Sequence, residues 1–452
     1  MQFGTDGVRG VANQELTPEL VVALGRAAAR VLGRGTGGPS APGFLVGRDT
    51  RVSGPLLQSA LAAGLASEGA AVVDLGVLPT PGVAFASARL GLPAAVISAS
   101  HNPFPDNGIK LFAAGGRKLA DDVEEVLEAE LARILSGGGT ERAPTGAGVG
   151  RLQADHGALD AYVGHLVDLL EGRPLEGLRV VLDCANGAAS EAGPRAVAAL
   201  GADVEVIGAR PDGTNINAGC GSTHPEGLQR AVVEAGADAG LAFDGDADRV
   251  LAVDHRGELV DGDQMLALCA IDLHERGQLR GETVVVTVMT NLGFRQAMES
   301  KGIAVHETAV GDRYVLEALE AGGWSLGGEQ SGHVIFRDMA TTGDGILTGV
   351  QLLHLVRRAG RPLGELAGAA MTRLPQVLRN VRVATRRPEV ATLVRSAVEA
   401  VEAEMRGQGR VLVRPSGTEP LVRVMVEATE EDVAHAMAHR LAAEVERACG
   451  AA

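Results

Sequence analysis

The chain is poor in aromatic residues and in cysteine, and it lacks long apolar runs. Phe, Tyr and Trp make up 2% of its 452 residues, so its cores must consist mainly of Ala, Val and Leu. No run of about 18 apolar residues is present, and the N-terminus has no apolar signal core, so we expect no membrane span and no secretion signal. The four cysteines are far apart, form no metal-binding pair and fit a reducing cytoplasm: Cys184, Cys220, Cys269 and Cys449.

Lysine is also scarce, and the net charge is negative. Only three of the 41 basic residues are lysines, at positions 110, 118 and 301. A net charge of −16 argues against nucleic acids and anionic membranes as partners. An anionic substrate would therefore need locally clustered arginines. Because a lysine can release its proton near neutral pH and an arginine cannot, Lys110 is a candidate for proton transfer or for contact with a phosphate.

Strand-like runs alternate with Ala-rich helical runs through most of the chain, which is typical of α/β domains. The first block contains predicted strands near Phe44–Val46, Val72–Leu75 and Ala94–Ile97 and predicted helices over Pro55–Glu68 and Asp121–Leu135. Two further blocks of the same kind follow. The last eighty or so residues differ, because strand, helix, hairpin and helix follow one another there as in a small α+β unit.

The most informative segment is the polar loop after the predicted strand Ala94–Ile97. It reads Ser98-Ala99-Ser100-His101-Asn102-Pro103 and continues to Lys110. Ligands bind at the carboxyl ends of strands in open α/β sheets, so Ser100 is a candidate nucleophile. On its own, however, a serine that ends a strand is more often a turn former.

A second polar loop contains three carboxylates at alternate positions. The segment Asp244-Gly245-Asp246-Ala247-Asp248-Arg249 follows one apolar strand and precedes another. Three such carboxylates repel one another unless a cation neutralises them, and all-oxygen ligands favour Mg²⁺, Mn²⁺ or Ca²⁺. An EF-hand is excluded because its sixth and twelfth positions would be Arg249 and His255. Arg249 could bind the same phosphate as the cation.

Three further segments offer groups that bind sugars or phosphates. Glu329, Ser331 and His333 lie on one short loop at the tip of a predicted hairpin and could bind sugar hydroxyls. In the C-terminal unit, Arg414-Pro415-Ser416-Gly417-Thr418 joins two predicted strands, and its hydroxyls and main-chain N–H groups could bind an anion together with Arg414 and Arg423. Near the N-terminus, Arg9 follows a glycine-rich turn and is a weaker candidate for phosphate contact.

Taken together, these five motifs resemble those of the α-D-phosphohexomutase superfamily. The resemblance covers essentially the whole chain, with the motifs in the family's order. It implies three similar mixed-sheet α/β domains (residues 1–155, 156–255 and 256–368) and a smaller C-terminal α+β domain (369–452) around a central cleft. Within the superfamily, Ser98, Gln330 and the N-terminal segment FGTDGVRG are similar to the branch that acts on glucosamine phosphates.

The resemblance also implies a role for each motif. Ser100 would carry a phosphoryl group, with His101, Lys110 and Arg9 as further catalytic residues. Ser100 and the three aspartates (Asp244, Asp246 and Asp248) would bind Mg²⁺. The sugar and its distal phosphate would contact Arg249, Glu329, Ser331, His333, Arg414, Ser416, Gly417, Thr418 and Arg423. The implied reaction is the interconversion of glucosamine 6-phosphate and glucosamine 1-phosphate through a bisphosphate, in a monomer or homodimer.

Two other readings stay open at this stage. An apolar strand that ends in Asp-x-Asp also resembles the haloacid-dehalogenase phosphatases, in which Asp244 would be the nucleophile. That family usually has Thr or Val at the position of Asp248, which counts against this reading. A sugar-phosphate sensor without catalysis would also bind a phosphate, but it would need no intact serine loop beside the three carboxylates.

Overall fold

The computed structural model describes residues 7–33, 43–138, 143–385, 387–415 and 420–450. The chain divides into two compact units, which are Met1–Val288 with Ile303–Gly368, and Met289–Gly302 with Ala369–Ala452. The first unit contains three sheets and the second contains one. The predicted α/β class with a smaller α+β unit at the C-terminus is therefore confirmed. None of the described helices is long and apolar enough to cross a membrane.

The first sheet has seven strands in the order β1-β5-β4-β2-β3-β7, with β6 paired to β5. Its strands are β1 (Val8–Val11), β2 (Gly43–Arg48), β3 (Ala71–Val77), β4 (Ala94–Ile97), β5 (Asp106–Ala113), β6 (Arg117–Lys118) and β7 (Leu152–Ala154). The helices are α1 (Pro18–Leu32), α2 (Gly54–Ser67), α3 (Thr80–Leu90) and α4 (Asp121–Leu135). Strands β2, β3 and β4 are parallel, so the loops after β2 and β4 leave the sheet at the same edge.

The core of this first block contains few aromatic side chains, as the composition predicts. Leu24, Leu61 and Leu127 come from α1, α2 and α4 and are at most 1% exposed in one apolar cluster with alanines of α1 and valines of the sheet. Alanine and valine side chains bury less apolar area in each contact than aromatic side chains would. The helices compensate by packing closely, since alanine and glycine let their backbones approach.

The second sheet has the order β12-β11-β10-β8-β9. Its elements are α5 (Ala158–Asp168), β8 (Arg179–Asp183), α6 (Ala189–Ala199), β9 (Asp203–Ile207), α7 (Glu226–Ala235), β10 (Ala239–Phe243), β11 (Val250–Asp254) and β12 (Leu259–Val260). Strand β10 pairs parallel with β8 and antiparallel with β11. The loop between β10 and β11, which contains the three aspartates, is therefore the turn of a tight hairpin in the middle of the sheet.

The third sheet has the order β14-β13-β15-β16. Several elements follow β12 in the first unit: α8 (Gly262–Glu275), β13 (Thr283–Thr287), β14 (Ala304–Thr308), α10 (Asp312–Gly322), β15 (Leu326–Gly328), β16 (Val334–Phe336) and α11 (Gly345–Ala359). The boundary to the second unit lies within α12 (Leu363–Ala370), after Gly368. Strands β15 and β16 form the predicted hairpin, in antiparallel register. Glu329, Ser331 and His333 all lie in its turn.

The second unit combines α9 (Leu292–Ser300) with the C-terminal elements. These are β17 (Gln376–Arg382), α13 (Val390–Leu393), α14 (Arg395–Met405), β18 (Gly409–Pro415), β19 (Leu421–Ala428) and α15 (Glu431–Cys449), with the sheet order β17-β19-β18. Glu427 is fully buried, pairs with Arg410 at 2.9 Å and accepts a hydrogen bond from Leu292 N at the start of α9. This buried ion pair joins the helix to the sheet.

Candidate active site

Ser100 lies at the carboxyl end of β4 and is 1% exposed. Its backbone adopts the left-handed conformation, with φ of 51°, which is rare for a residue with a side chain. Its hydroxyl donates a hydrogen bond to Asp244 Oδ2 at 2.5 Å, and His101 Nδ1 lies 3.4 Å from the same oxygen. The fold thus brings together a serine and an aspartate that are 144 residues apart in the sequence.

The three aspartates lie in the β10–β11 turn as one cluster. Asp244, Asp246 and Asp248 are buried, and one carboxylate oxygen from each lies within 4.8 Å of the others. Among the described residues, Asp246 Oδ1 and Asp248 Oδ1 accept no hydrogen bond. Buried carboxylate oxygens without a partner are costly, and hard oxygen ligands are those that a divalent cation requires. The residues present therefore fit a divalent metal ion.

Lys110 on β5 provides a positive charge inside this cluster. Its ammonium group is 3% exposed and lies 2.9 Å from Asp246 Oδ2 and 3.2 Å from Asp248 Oδ2. Burial raises the pKa of Asp244 well above its ordinary value, and the charges of Asp248 and Asp246 raise it further. Burial would also raise the pKa of Asp248, but Lys110, His333 and Arg249 outweigh it and hold that pKa well below its ordinary value. One lysine thus offsets only part of the charge of three carboxylates.

Thr80, the first residue of α3, binds the middle aspartate. Its hydroxyl donates to Asp246 Oδ2 at 2.7 Å, and its main-chain N–H donates to the carbonyl of Asp246 at 2.9 Å. Lys110 donates to the same Oδ2, so this oxygen has two donors while Oδ1 has none among the described residues. Donors to one oxygen of a ligating carboxylate fix its orientation. Thr80 therefore aims Asp246 Oδ1 at the candidate metal position.

We expect Thr80→Val to weaken divalent-cation binding about tenfold, because losing a hydrogen bond to a ligating group typically costs 10- to 100-fold in metal affinity. Titration calorimetry of the purified protein with MgCl₂ or MnCl₂ measures this directly. Thr223→Val is the matched control, because Thr223 is exposed and bonds only its neighbour His224 in the described structure. Equal metal affinity in the two variants would contradict the role of Thr80.

His101, beside the serine hydroxyl, is itself under the influence of two arginines. Arg249 Nη1 lies 3.5 Å from His101 Nδ1, and the main-chain N–H of Arg249 donates to Asp244 Oδ1 at 3.2 Å. Burial and the charges of Arg249 and Arg9 lower the pKa of His101. The imidazole is therefore neutral at pH 7 and able to accept a proton. Arg9 lies on β1 and is paired with Gly108 of β5, the strand that also contains Lys110.

The β15–β16 turn abuts the aspartate cluster. His333 is 2% exposed, with Nδ1 3.8 Å from Asp248 Oδ1 and Nε2 3.5 Å from Asp312 Oδ2. Gly332, with φ of 88°, allows the close approach, since a Cβ there would lie 2.0 Å from the carbonyl oxygen of Val250. Of the other two predicted sugar-binding residues, Glu329 accepts a hydrogen bond from Gly311 N, and the buried Ser331 hydroxyl has no hydrogen-bond partner among the described residues.

The candidate phosphate-binding residues of the second unit lie on its β18–β19 hairpin. Arg414 and Arg423 are directly opposite each other on the paired strands. Burial lowers the pKa of Arg414, and the charge of Arg423 lowers it further. Two guanidinium groups side by side repel each other and would be stabilised by an anion. The predicted anion-binding residues Ser416, Gly417 and Thr418 lie outside the described residues.

Some residues around Ser100 were not singled out from the sequence. Ser98, which the sequence marks only as a feature of one branch, accepts a hydrogen bond from Ser100 N at 2.9 Å and donates one to Asp49 at 2.7 Å. Asp49 and Arg51 follow β2 at the same sheet edge as Ser100 follows β4. Their position directly after β2, a parallel neighbour of β4, is the sequence feature that could have indicated Asp49 and Arg51. Asn217 bonds the serine loop from the second sheet's domain, and no sequence pattern indicates it.

Comparison with known proteins assigns most of the chain to one family. Four family models match, described as phosphoglucomutase/phosphomannomutase α/β/α domains I, II and III and the C-terminal domain, over residues 1–137, 160–257, 261–374 and 378–444. Phosphoglucosamine mutases of Rhodococcus opacus and Symbiobacterium thermophilum are 56% and 57% identical over 446 residues, covering 98% of this chain and 98% and 97% of their own lengths.

Solved structures show the same fold. A phosphoglucomutase/phosphomannomutase family protein of Burkholderia thailandensis is 27% identical, has a TM-score of 0.80 and matches 99% of this chain and 98% of its own. An N-acetylphosphoglucosamine mutase of Aspergillus fumigatus, solved with GlcNAc-6P and magnesium, is 19% identical with a TM-score of 0.68 over 99% and 96% of the two chains. The chain therefore belongs to the phosphoglucomutase/phosphomannomutase family, among the relatives of the phosphoglucosamine mutases, and is an isomerase of the phosphohexomutase type.

Proposed function

We propose that this chain interconverts glucosamine 6-phosphate and glucosamine 1-phosphate by means of a phosphoryl group carried on Ser100. The observation that carries the proposal is the buried Ser100 hydroxyl, held 2.5 Å from Asp244 Oδ2 in a cluster of three carboxylates. Curated relatives named phosphoglucosamine mutase, about 56% identical over nearly the whole chain, support this substrate. The product would feed amino-sugar nucleotide and cell-wall precursor synthesis.

The reaction consists of two phosphoryl transfers. In the first, a sugar hydroxyl attacks the phosphorus on Ser100 and gives its proton to His101, the bond from phosphorus to Oγ breaks, Oγ takes up that proton, and a hexosamine bisphosphate forms. After the bisphosphate reorients, Ser100 Oγ loses its proton and attacks the other phosphate, the bond from that phosphorus to the sugar oxygen breaks, the sugar oxygen is protonated, and the isomeric monophosphate leaves. Positioning and electrostatic stabilisation dominate catalysis of such transfers. Arg9 and Arg249, whose charges both lower the pKa of His101, are the residues that we propose to stabilise the phosphoryl charge.

The protons move through the groups beside Ser100. When Ser100 attacks, its hydroxyl proton must leave, and His101 Nδ1 is neutral and 3.4 Å away. Catalytic hydrogen bonds are often longer than ideal before substrate binds. Lys110 donates to two carboxylates, so in this state it serves as a charge and not as a base. In this state the serine hydroxyl donates to Asp244, but Asp244 would hold the cation in the loaded enzyme, so we propose His101 as the acceptor of the serine proton and assign to Lys110 the stabilisation of the cluster.

Mg²⁺ is the cation that we propose for the cluster. Asp244, Asp246 and Asp248 would hold it together with a phosphate oxygen on Ser100, because three monodentate carboxylates leave coordination positions open. When bound, it neutralises charge on the phosphoryl group. The two carboxylate oxygens without hydrogen-bond partners among the described residues, on Asp246 and Asp248, support this assignment.

Residues of the β15–β16 turn are the proposed ligands of the sugar hydroxyls, and residues of the β18–β19 hairpin are proposed ligands of a phosphate. Glu329 and Ser331 offer hydrogen bonds to sugar hydroxyls, with His333 behind them. Arg414 and Arg423, with Ser416, Gly417 and Thr418 between their strands, are the proposed phosphate ligands. No nucleic acid or membrane partner is proposed. The protein would act in the cytoplasm as a monomer or homodimer, and its four free cysteines suit that reducing compartment.

The decisive test is an assay of the purified enzyme with glucosamine 6-phosphate, glucose 6-phosphate and mannose 6-phosphate, each with Mg²⁺ and a trace of the cognate bisphosphate. We expect kcat/KM for the glucosamine substrate to exceed the others about 100-fold, a modest ratio because the competitors have a hydroxyl in place of the amino group and can still hydrogen-bond to the site. Equal rates on the three sugars would overturn the substrate. Inorganic phosphate as the sole product would overturn the mutase reaction and favour a phosphatase.

A further inference from the structure

Arg51 is a fully buried arginine that binds the loop of Ser100 through its main chain. Its guanidinium group donates to the carbonyl oxygens of Ser100 at 2.9 Å, Asn102 at 2.8 Å, Pro103 at 2.5 Å and Asp106 at 3.0 Å. Its Nε donates to Asp49 Oδ2 at 2.8 Å, and both side chains of this ion pair are 0% exposed. The four carbonyl oxygens belong to the segment that follows β4. The carboxylate of Asp49, which neutralises the guanidinium charge, belongs to the segment that follows β2.

Asn217 binds the same loop from the second sheet's side. Its Nδ2 donates to the carbonyl oxygens of Ser100 at 2.9 Å and of Asn102 at 3.1 Å, and the side chain is almost completely buried. These are two of the four carbonyls that Arg51 binds. At Gly245, in the aspartate loop, a Cβ would lie 2.6 Å from the carbonyl oxygen of Ser100. The carbonyl of Ser100 is therefore enclosed by three different segments.

The main-chain N–H of Ser100 is held as firmly as its carbonyl. It donates to Ser98 Oγ at 2.9 Å, and Ser98 donates in turn to the carboxylate of Asp49 that pairs with Arg51. A left-handed backbone at a non-glycine residue costs about 1–3 kcal/mol and persists only where its surroundings impose it. Hydrogen bonds on both peptide groups of Ser100 provide that constraint.

We propose that Arg51 and Asn217 are positioning residues for phosphoryl transfer, which hold the Ser100 backbone in its left-handed conformation and so aim Oγ at the aspartate cluster. The inference rests on the proposed function, since it assumes that Ser100 carries the phosphoryl group. Neither side chain bonds Ser100 Oγ or the carboxylates of the cluster; both bond the main chain of the serine loop. They affect the rate through the geometry of the nucleophile alone, since a misplacement of about 1 Å costs roughly 100-fold in rate.

The test compares Asn217→Ala and Arg51→Lys with wild type in three measurements. We expect kcat to fall about 100-fold in each variant, while KM for the sugar phosphate and the Mg²⁺ affinity measured by calorimetry stay within about twofold, because the substrate and metal ligands are intact. Intact mass after incubation with the hexose bisphosphate should show slower formation of phosphoserine. Asn215→Ala is the matched control, since the Asn215 amide bonds only its own loop in the described structure.

Each outcome decides the inference. A variant with unchanged kcat, or one whose KM or Mg²⁺ affinity changes while kcat is kept, would overturn it. If Arg51→Lys does not fold, Asn217→Ala alone decides, because it leaves the buried ion pair of Arg51 and Asp49 in place. If wild type converts none of the sugar phosphates, the proposed function fails. The rate of phosphoserine formation from the bisphosphate, in wild type against Asn217→Ala, then decides the role of Asn217 separately.

Discussion

Ser100→Ala should abolish the mutase reaction, with kcat reduced at least about 10⁴-fold. The variant removes the atom that carries the phosphoryl group between the two half-reactions, and no other hydroxyl is shown within hydrogen-bond distance of Asp244 Oδ2 among the described residues. Loss of a covalent nucleophile typically costs several orders of magnitude because the whole two-step path is lost. A coupled assay of glucosamine 1-phosphate formation measures the effect, and intact mass should show no phosphorylated protein after incubation with the bisphosphate.

Ser98→Ala is the matched control for this variant, two residues away on the same loop. It keeps the nucleophile and removes the acceptor of the Ser100 N–H bond, so we expect a loss of about fivefold, in line with one buried hydrogen bond of about 1 kcal/mol. Full activity in Ser100→Ala would refute the phosphoserine mechanism. A hydroxylamine-sensitive acyl phosphate retained in that variant would instead identify Asp244 as the nucleophile of a phosphatase.

The fold was predictable where the pattern of the sequence is local. The strand Ala94–Ile97 and the helix Asp121–Leu135 have the predicted bounds, because each is an apolar or amphipathic run with clear local ends. The first helix that the sequence predicts in the C-terminal unit is instead two helices, Val390–Leu393 and Arg395–Met405. No Gly or Pro marks the break, since the residue between them is Val394. Val394 has a φ of −105°, and no local signal in the sequence indicates this break.

The site was predictable to the extent that it follows strand ends. Ser100 and Asp244 were candidates because each comes directly after an apolar strand, and the structure brings them into contact. Arg51 and Asn217 were not predictable in this way. Their partners are main-chain carbonyls 49 and 117 residues away, and a carbonyl carries no information about the side chain that will bind it. The residues that orient a nucleophile are therefore harder to find in a sequence than the nucleophile itself.

The charges of the site are balanced only in part by the protein. The described cluster contains three buried carboxylates and the Lys110 ammonium group, so a divalent cation would add the charge that the cluster lacks. A phosphoryl group on Ser100 would bring further negative charge. We propose that Arg9 and Arg249, whose charges lower the pKa of His101, offset it. Lys110 contributes to this balance without any ligand and forms ion pairs with two of the three carboxylates, which makes it an informative residue to remove.

Lys110→Met should lower both the activity and the stability of the apoprotein. Methionine fills a similar volume but leaves Asp246 and Asp248 without the ammonium group that bonds both. Removing one partner of a buried ion pair costs about 3–5 kcal/mol, so we expect a clearly lower thermal-unfolding midpoint in EDTA. We expect kcat to fall about 10³-fold, as for the loss of one electrostatic donor in an active site. Calorimetric unfolding and the mutase assay measure the two effects.

The response of Lys110→Met to a divalent cation tests this role more specifically than its unfolding midpoint in EDTA. Because the cation adds positive charge to the same carboxylates, saturating Mg²⁺ should raise the unfolding midpoint of Lys110→Met more than that of wild type, while kcat stays low. Lys301→Met is the matched control, since Lys301 is exposed and lies in the second unit. It should match wild type with and without Mg²⁺. If Lys110→Met unfolds at the midpoint of the Lys301 variant in EDTA, Lys110 does not stabilise the carboxylate cluster.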